Sequence, residues 1–175
     1  SRTVRQFIYD GYNADPSGRK VFDAVYPHVS GGGRLFTNIR FAQVGRYPRQ
    51  HEEHQWPSEW YPFAYSAVPD PFTENLDAVL KRPDTDPLVM HTHTNTEYWQ
   101  RHASLGHTDP RNGDDLDFPD NVRMYVIASA QHGGANPGEG DFTQQLPNQM
   151  SNGPTLRAVL ALMDRWATDG TPPPA

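Results

Sequence analysis

The clearest hydrophobic pattern along the chain lies at residues 121–134, NVRMYVIASAQHGG. Val122, Met124, Val126 and Ala128 alternate with Arg123, Tyr125, Ile127 and Ser129, which predicts a strand with at least one packed face. The chain then turns through Ala130 and Gln131 to His132, Gly133 and Gly134. Residues 21–27 (VFDAVYP) and 88–92 (LVMHT) read as two further buried strands, the second bounded by Pro87. Helical spacing marks residues 2–12, where Val4, Phe7 and Ile8 form one stripe and Gly11 is a stop. It returns at residues 155–167, with Leu156, Val159, Leu160 and Met163 as the stripe and Trp166 extending it. Asn152 is the candidate cap of that helix, Pro154 opens its first turn, and Gly170 with Pro172–Pro174 ends it. Residues 97–104 read as a shorter helix. The order helix, strand, excursion, strand, helix, strand, helix predicts an α/β fold: a mostly parallel sheet with flanking helices.

The excursion, residues 34–83, is the least regular part. It carries Trp56, Trp60, Tyr61, Phe63, Tyr65 and Phe72 among prolines, and its aromatic density argues against disorder. It reads as a lid-like insertion that packs over the sheet and shapes an apolar pocket, with Trp56, Trp60 and Phe63 as wall residues. A surface loop with its own aromatic cluster is the competing reading. The whole of residues 1–175 is expected to be one partial domain, with residues 170–175 a proline-rich tail.

Composition narrows the function classes. Lys and Arg number 15 against 21 Asp and Glu, a net charge of −6 spread along the chain, which argues against a general nucleic-acid binder. There is no cysteine, so disulfides, thiolate metal sites and cysteine nucleophiles are excluded. No apolar run approaches the roughly 20 residues a membrane span needs. The 17 prolines and 14 glycines predict long irregular connections.

A histidine just past the carboxyl end of a buried strand sits where open α/β sheets place their ligands and chemistry; a loop histidine without a role is the plain alternative. Glu97 follows one strand and His132 the next. This chain order, acid then histidine, is the second half of an α/β-hydrolase triad. In such a triad the histidine takes the proton of a serine hydroxyl, and the carboxylate fixes the histidine tautomer. Glu97 and His132 are therefore expected to meet side by side. Asp84 and Asp86 precede the strand at the wrong end, and Asp109 lies far into the following loop. Residues 114–117 read as a solvated acidic turn.

Eight histidines also invite a metal reading. His91 and His93 alternate, so both point to one face, and His28, His51, Glu52 and His54 could complete a set of ligands. However, HEEH is not the HExxH pattern, and His91 and His93 equally suit packing near the pocket. The triple glycine at residues 31–33 lacks the Lys-Ser/Thr of a phosphate loop and reads as a flexible turn rather than an anion nest. No cofactor is expected.

Several stretches resemble a known family. They are VRQFIYDGYNADPSGRKVFDAVYPHVSGGGR, RFAQ, TNTEYWQRHASLGHTD, DNVRMYVIASAQHGG, LPNQ and RAVLALMDRWATDGTPPP, and together they span nearly the whole chain. They resemble the alpha/beta hydrolase domain family of presumed serine esterases, in its C-terminal half. The resemblance implies a general base at His132 in AQHG and a triad acid at Glu97 in TNTEYW. It implies an ester-like small-molecule substrate, with His91, His93 and Trp99 beside the pocket. In the family a Ser-Gln-Ser/Thr-Gly-Arg elbow leads into the first helix; Arg2 falls on its Arg and Ser1 on its small residue. The nucleophile is then expected three positions before Ser1, together with the missing N-terminal half of the domain. Ser1 itself is a poor nucleophile candidate, lacking the flanking glycines of an elbow. Two alternatives stay open: a non-catalytic or vestigial binding module with the same half-fold, and a His-rich metal-dependent hydrolase.

Overall fold

The structure, a computed structural model, describes residues 2–35, 60–133, 148 and 150–175. Helix α1 (Arg2–Tyr9) leads to strand β1 (Ala24–Val25). A small antiparallel hairpin follows, β2 (Val68–Pro69) with β3 (Leu76–Asp77). Then come β4 (Leu88–Thr94), α2 (Asn95–Gln100), a single 3-10 turn at Ala103–Gly106, β5 (Val122–Ile127) and α3 (Gly153–Asp169).

The main sheet is parallel in the order β1-β4-β5, and β4 is its fully flanked strand. With both neighbours in place, β4 is buried from Val89 to Thr94, as strands covered on both faces of a parallel sheet are. It runs two residues further than residues 88–92, because Thr94 still pairs with Ile127.

Two layers pack on this sheet. On one face Ile8 of α1, with Val4 and Phe7 beside it, meets Val89, Val122, Tyr65, Val79 and Leu80. On the other, Val159 and Trp166 of α3 close over Met90, with Leu162 and Met163 alongside. The packing stripe of α3 is thus Val159, Leu162, Met163 and Trp166, spaced i, i+3, i+4, i+7, rather than the Leu156/Leu160 register that the sequence suggests. Leu160 is left exposed. Each fully buried aliphatic side chain contributes about 1.5–3 kcal/mol of transfer free energy.

Three readings change with the structure. Only Ala24 and Val25 of residues 21–27 enter the ladder, and Val21 and Phe22 are exposed, because β1 has one neighbour among the described residues. β5 is buried at its two ends, Val122 and Ile127, but leaves Val126 exposed, so the face that carries Val126 is uncovered there among the described residues. The triple glycine is neither loose nor an anion nest. Residues 30–33 are buried, and the carbonyls of Gly31 and Gly33 accept hydrogen bonds from the buried Arg5 guanidinium (3.0 and 3.1 Å). A Cβ on Gly31 would lie 2.5 Å from Arg101 O, and one on Gly32 2.5 Å from His102 O, so close backbone approach is what these glycines permit.

In the described part of the excursion, Tyr65, Val79 and Leu80 pack with Val89 and Val122 of the sheet, and Ala64, Val68 and Ala78 are buried. The tail is also tied down: Arg123 donates to Pro173 O (3.2 Å) and Tyr125 to Pro174 O (2.5 Å). No helix among the described residues is long and apolar enough to cross a membrane.

Candidate active site

The carboxyl end of β4 and the start of α2 form one continuous device. Thr94 is the last residue of β4 and the N-cap of α2, with extended backbone (φ −109°, ψ 174°). Glu97 is the third residue of that helix, so its side chain turns back over the helix N-terminus, where a carboxylate is favoured. The Thr94 main-chain N–H (2.8 Å) and the Thr94 hydroxyl (2.5 Å) both donate to Glu97 Oε2. The other oxygen, Oε1, lies 2.5 Å from His132 Nδ1. Glu97 is wholly buried, whereas 62% of the His132 side chain is exposed.

Burial pushes the Glu97 carboxyl up, but the hydrogen bonds from His132, the Thr94 hydroxyl and the Thr94 N–H outweigh it and hold the group below its ordinary value. An ionised carboxylate only accepts, so Nδ1 is the donor and a neutral His132 carries its lone pair on Nε2. Among the described residues nothing is hydrogen-bonded to Nε2. The arrangement can therefore take a proton at Nε2 and stabilise the resulting imidazolium with a buried anion.

The loop that carries His132 is held by its main chain. Ser129 adopts φ 60° and reverses the chain after β5. The Asn95 N–H donates to Ala130 O (3.1 Å), the Asn152 amide to Gln131 O (3.3 Å), and the His132 N–H to Thr96 Oγ1 (3.1 Å). Asn152 stands at the N-cap position of α3 as the sequence suggests, but its side chain reaches this loop instead of capping the helix.

His91 and His93 do share a face, with ring centroids 4.1 Å apart, and both are fully buried. The Ser30 hydroxyl donates to Gly31 O (3.1 Å), so it accepts from His91 Nε2 (2.7 Å), and the Tyr65 hydroxyl donates to His91 Nδ1 (3.0 Å). Both nitrogens of His91 are thus committed. Neither nitrogen of His93 has a hydrogen-bond partner among the described residues. Desolvation, reinforced by neighbouring positive groups, drives His91 well below its ordinary value and His93 to about 3.

The remaining candidates separate. Trp60 is exposed, and Trp99 is 86% exposed on α2. Phe63 packs edge-on against Tyr61, and its carbonyl accepts from Arg5. Asp109 is held by Arg111, and Asp86 accepts from the Arg82 main chain, whereas the carboxylate bonded to His132 is Glu97. Ser1, Trp56, His51, Glu52, His54 and Gly134 lie outside the described residues. Among those described, no three His, Asp or Glu side chains are grouped to hold a metal ion, and His28 Nδ1 is bonded to Thr92 Oγ1 (2.7 Å). Arg5 and the two threonines at residues 94 and 96 escaped the sequence reading. The Thr-x-x-Glu spacing of a capping box was the available signal for Thr94.

Comparison with curated proteins and with solved structures finds no match. The family comparison does: the family described as alpha/beta hydrolase domain matches along residues 1–175. With that match covering every residue of an α/β fold built on a parallel sheet, the chain belongs to the alpha/beta hydrolase domain family.

Proposed function

We propose that this chain supplies the acid and the base of a serine hydrolase acting on carboxylic esters or related acyl compounds. Glu97 is the acid and His132 the general base. The single observation that carries the reading is the 2.5 Å contact between Glu97 Oε1 and His132 Nδ1, with Nε2 bonded to nothing among the described residues. His132 Nε2 accepts the proton of a serine hydroxyl as its oxygen adds to the acyl carbonyl carbon. The imidazolium then protonates the departing alkoxide as the tetrahedral intermediate collapses to an acyl-enzyme. Water repeats the cycle and frees the acid product. Family membership supports the hydrolase class.

The nucleophile in this reading stands upstream of Ser1, on an elbow that feeds α1. A parallel strand before α1 would lie beside β1 by the right-handed crossover rule. In support, the open side of β1 carries an apolar groove of about 340 Å³ lined by Val4, Phe7, Phe22, Val25 and Tyr26.

The test is nitrophenyl-ester hydrolysis by the 175-residue chain and by a protein extended upstream through the elbow. The extended protein is expected to turn over, and His132→Ala to lower kcat by on the order of 10⁴. Turnover by the shorter chain that vanishes in His132→Ala would overturn the upstream nucleophile. Undiminished turnover in extended His132→Ala would overturn the base. An extended protein that binds ester without hydrolysing it would favour a binding module.

A further inference from the structure

We propose that Thr94 and Thr96 are positioning residues: their hydroxyls set the acid and the histidine of the proposed triad in register with one another. This rests on the serine-hydrolase reading above, but its geometry can be tested separately. Packing holds His132 only weakly, because 62% of its side chain is exposed. Its position must come from directed bonds. One end of the pair is fixed by Thr94, which directs two donors at Glu97 Oε2 and thereby presents Oε1 to the ring. The other end is fixed by Thr96, whose hydroxyl oxygen receives the His132 main-chain N–H at 3.1 Å.

Both threonines belong to the turn that joins β4 to α2, and Asn95 between them donates its own N–H to Ala130 O (3.1 Å). Three successive residues, 94–96, therefore bind the acid and the histidine loop at once. A carboxylate held only by its helix rotates about its last side-chain torsion, which is broad. With the Thr94 N–H and hydroxyl both on Oε2, that oxygen is committed and the other is aimed; Thr94→Val keeps the main-chain donor and removes the hydroxyl's share. Valine has the shape of threonine without the hydroxyl. Serine keeps the hydroxyl and loses the methyl. The two substitutions separate hydrogen bonding from packing.

The first measurement is the His132 Nδ1–H resonance in the 175-residue chain labelled with ¹⁵N-histidine, with Glu97→Gln and His132→Ala to assign it. A downfield Nδ1 proton is expected in the starting protein, lost or broadened in Thr94→Val and Thr96→Val, and restored in Thr94→Ser and Thr96→Ser. An unchanged resonance in both valine variants overturns the proposal. So does a serine variant that behaves like its valine counterpart, because the effect would then come from packing.

The second measurement is kinetic, in the protein extended through the elbow. Thr94→Val is expected to lower kcat about tenfold to a hundredfold, the equivalent of one charge-assisted hydrogen bond, with little change in KM and recovery in Thr94→Ser. A change confined to KM overturns the positioning role. If the extended protein shows no hydrolysis dependent on His132, the hydrolase reading fails, and the resonance alone decides whether the threonines set the pair.

Discussion

His91 and His132 present the same imidazole, one on β4 and the other just beyond β5, in opposite states. His91 is wholly buried, and both its nitrogens are engaged, one by Ser30 and one by Tyr65. His132 is mostly exposed and has one nitrogen engaged, by a buried carboxylate. A ring with both nitrogens committed holds structure and has nothing left to offer a substrate. A ring with one nitrogen anchored and one free contributes little to packing but can move a proton. His93 is a third state, buried with neither nitrogen bonded among the described residues. Abundance of histidine therefore says nothing about chemistry until the partners of each nitrogen are known.

The contrast yields a ranked set of expectations. His91→Leu removes two buried hydrogen bonds and leaves the Tyr65 and Ser30 hydroxyls to find others, so it should cost about 2–4 kcal/mol in urea unfolding. His132→Ala gives up little packing, because most of the ring is exposed, but it leaves Glu97 Oε1 unpartnered, so it should cost about 1–2 kcal/mol, less than His91→Leu. Equal losses in the two variants would erase the distinction between a structural and a reactive histidine.

Acid sensitivity comes next. His28, His91 and His93 are all lowered in the folded chain by desolvation. Unfolding therefore takes up protons once the pH falls below the free-histidine value of about 6.5. Their contribution to stability is complete above that value and is lost progressively below it, for His93 down to about 3. Glu97, also lowered, adds a second loss that begins only below the free-carboxyl value of about 4.3. Unfolding free energies measured from pH 8 to pH 4 should thus decline from about 6.5. His93→Leu should be within about 1 kcal/mol of the starting protein at pH 8, since it replaces an unbonded polar ring by an apolar one, and its acid decline should be shallower. An unchanged decline in His93→Leu would mean that the ring is charged or solvated in the folded chain.

The smallest effect concerns the open side of β1. Val4, Phe7, Phe22 and Val25 line that groove, and light scattering of the 175-residue chain should show self-association. Phe22→Lys should shift it toward monomer. A monomer at all concentrations in the starting protein would count against an edge awaiting another strand.

Local rules carried much of the fold. Period-two and helical spacing placed β4, β5, α1 and α3 to within a few residues, because each has an apolar set that must be buried. They failed where burial depends on neighbours. The stripe of α3 turned by a fraction of a turn to meet Met90, and residues 21–27 shrank to a two-residue strand at a sheet edge. Arg5 was invisible for the same reason: an arginine in an amphipathic helix reads as solvent-facing until carbonyls from residues 31, 33 and 63 converge on it.

What the sequence determined by itself is the order of parts: an acid after one strand, a histidine after the next, within an α/β chain whose motifs match one family from end to end. Tertiary structure alone decided which nitrogens of which histidines are bonded among the described residues. That outcome depends on residues 26 to 61 positions apart in the chain, as Arg5 is from Gly31, His132 from Glu97, and His91 from Ser30 and Tyr65. Periodicity reports which side of an element faces inward; it carries no information on what waits there to bond with it.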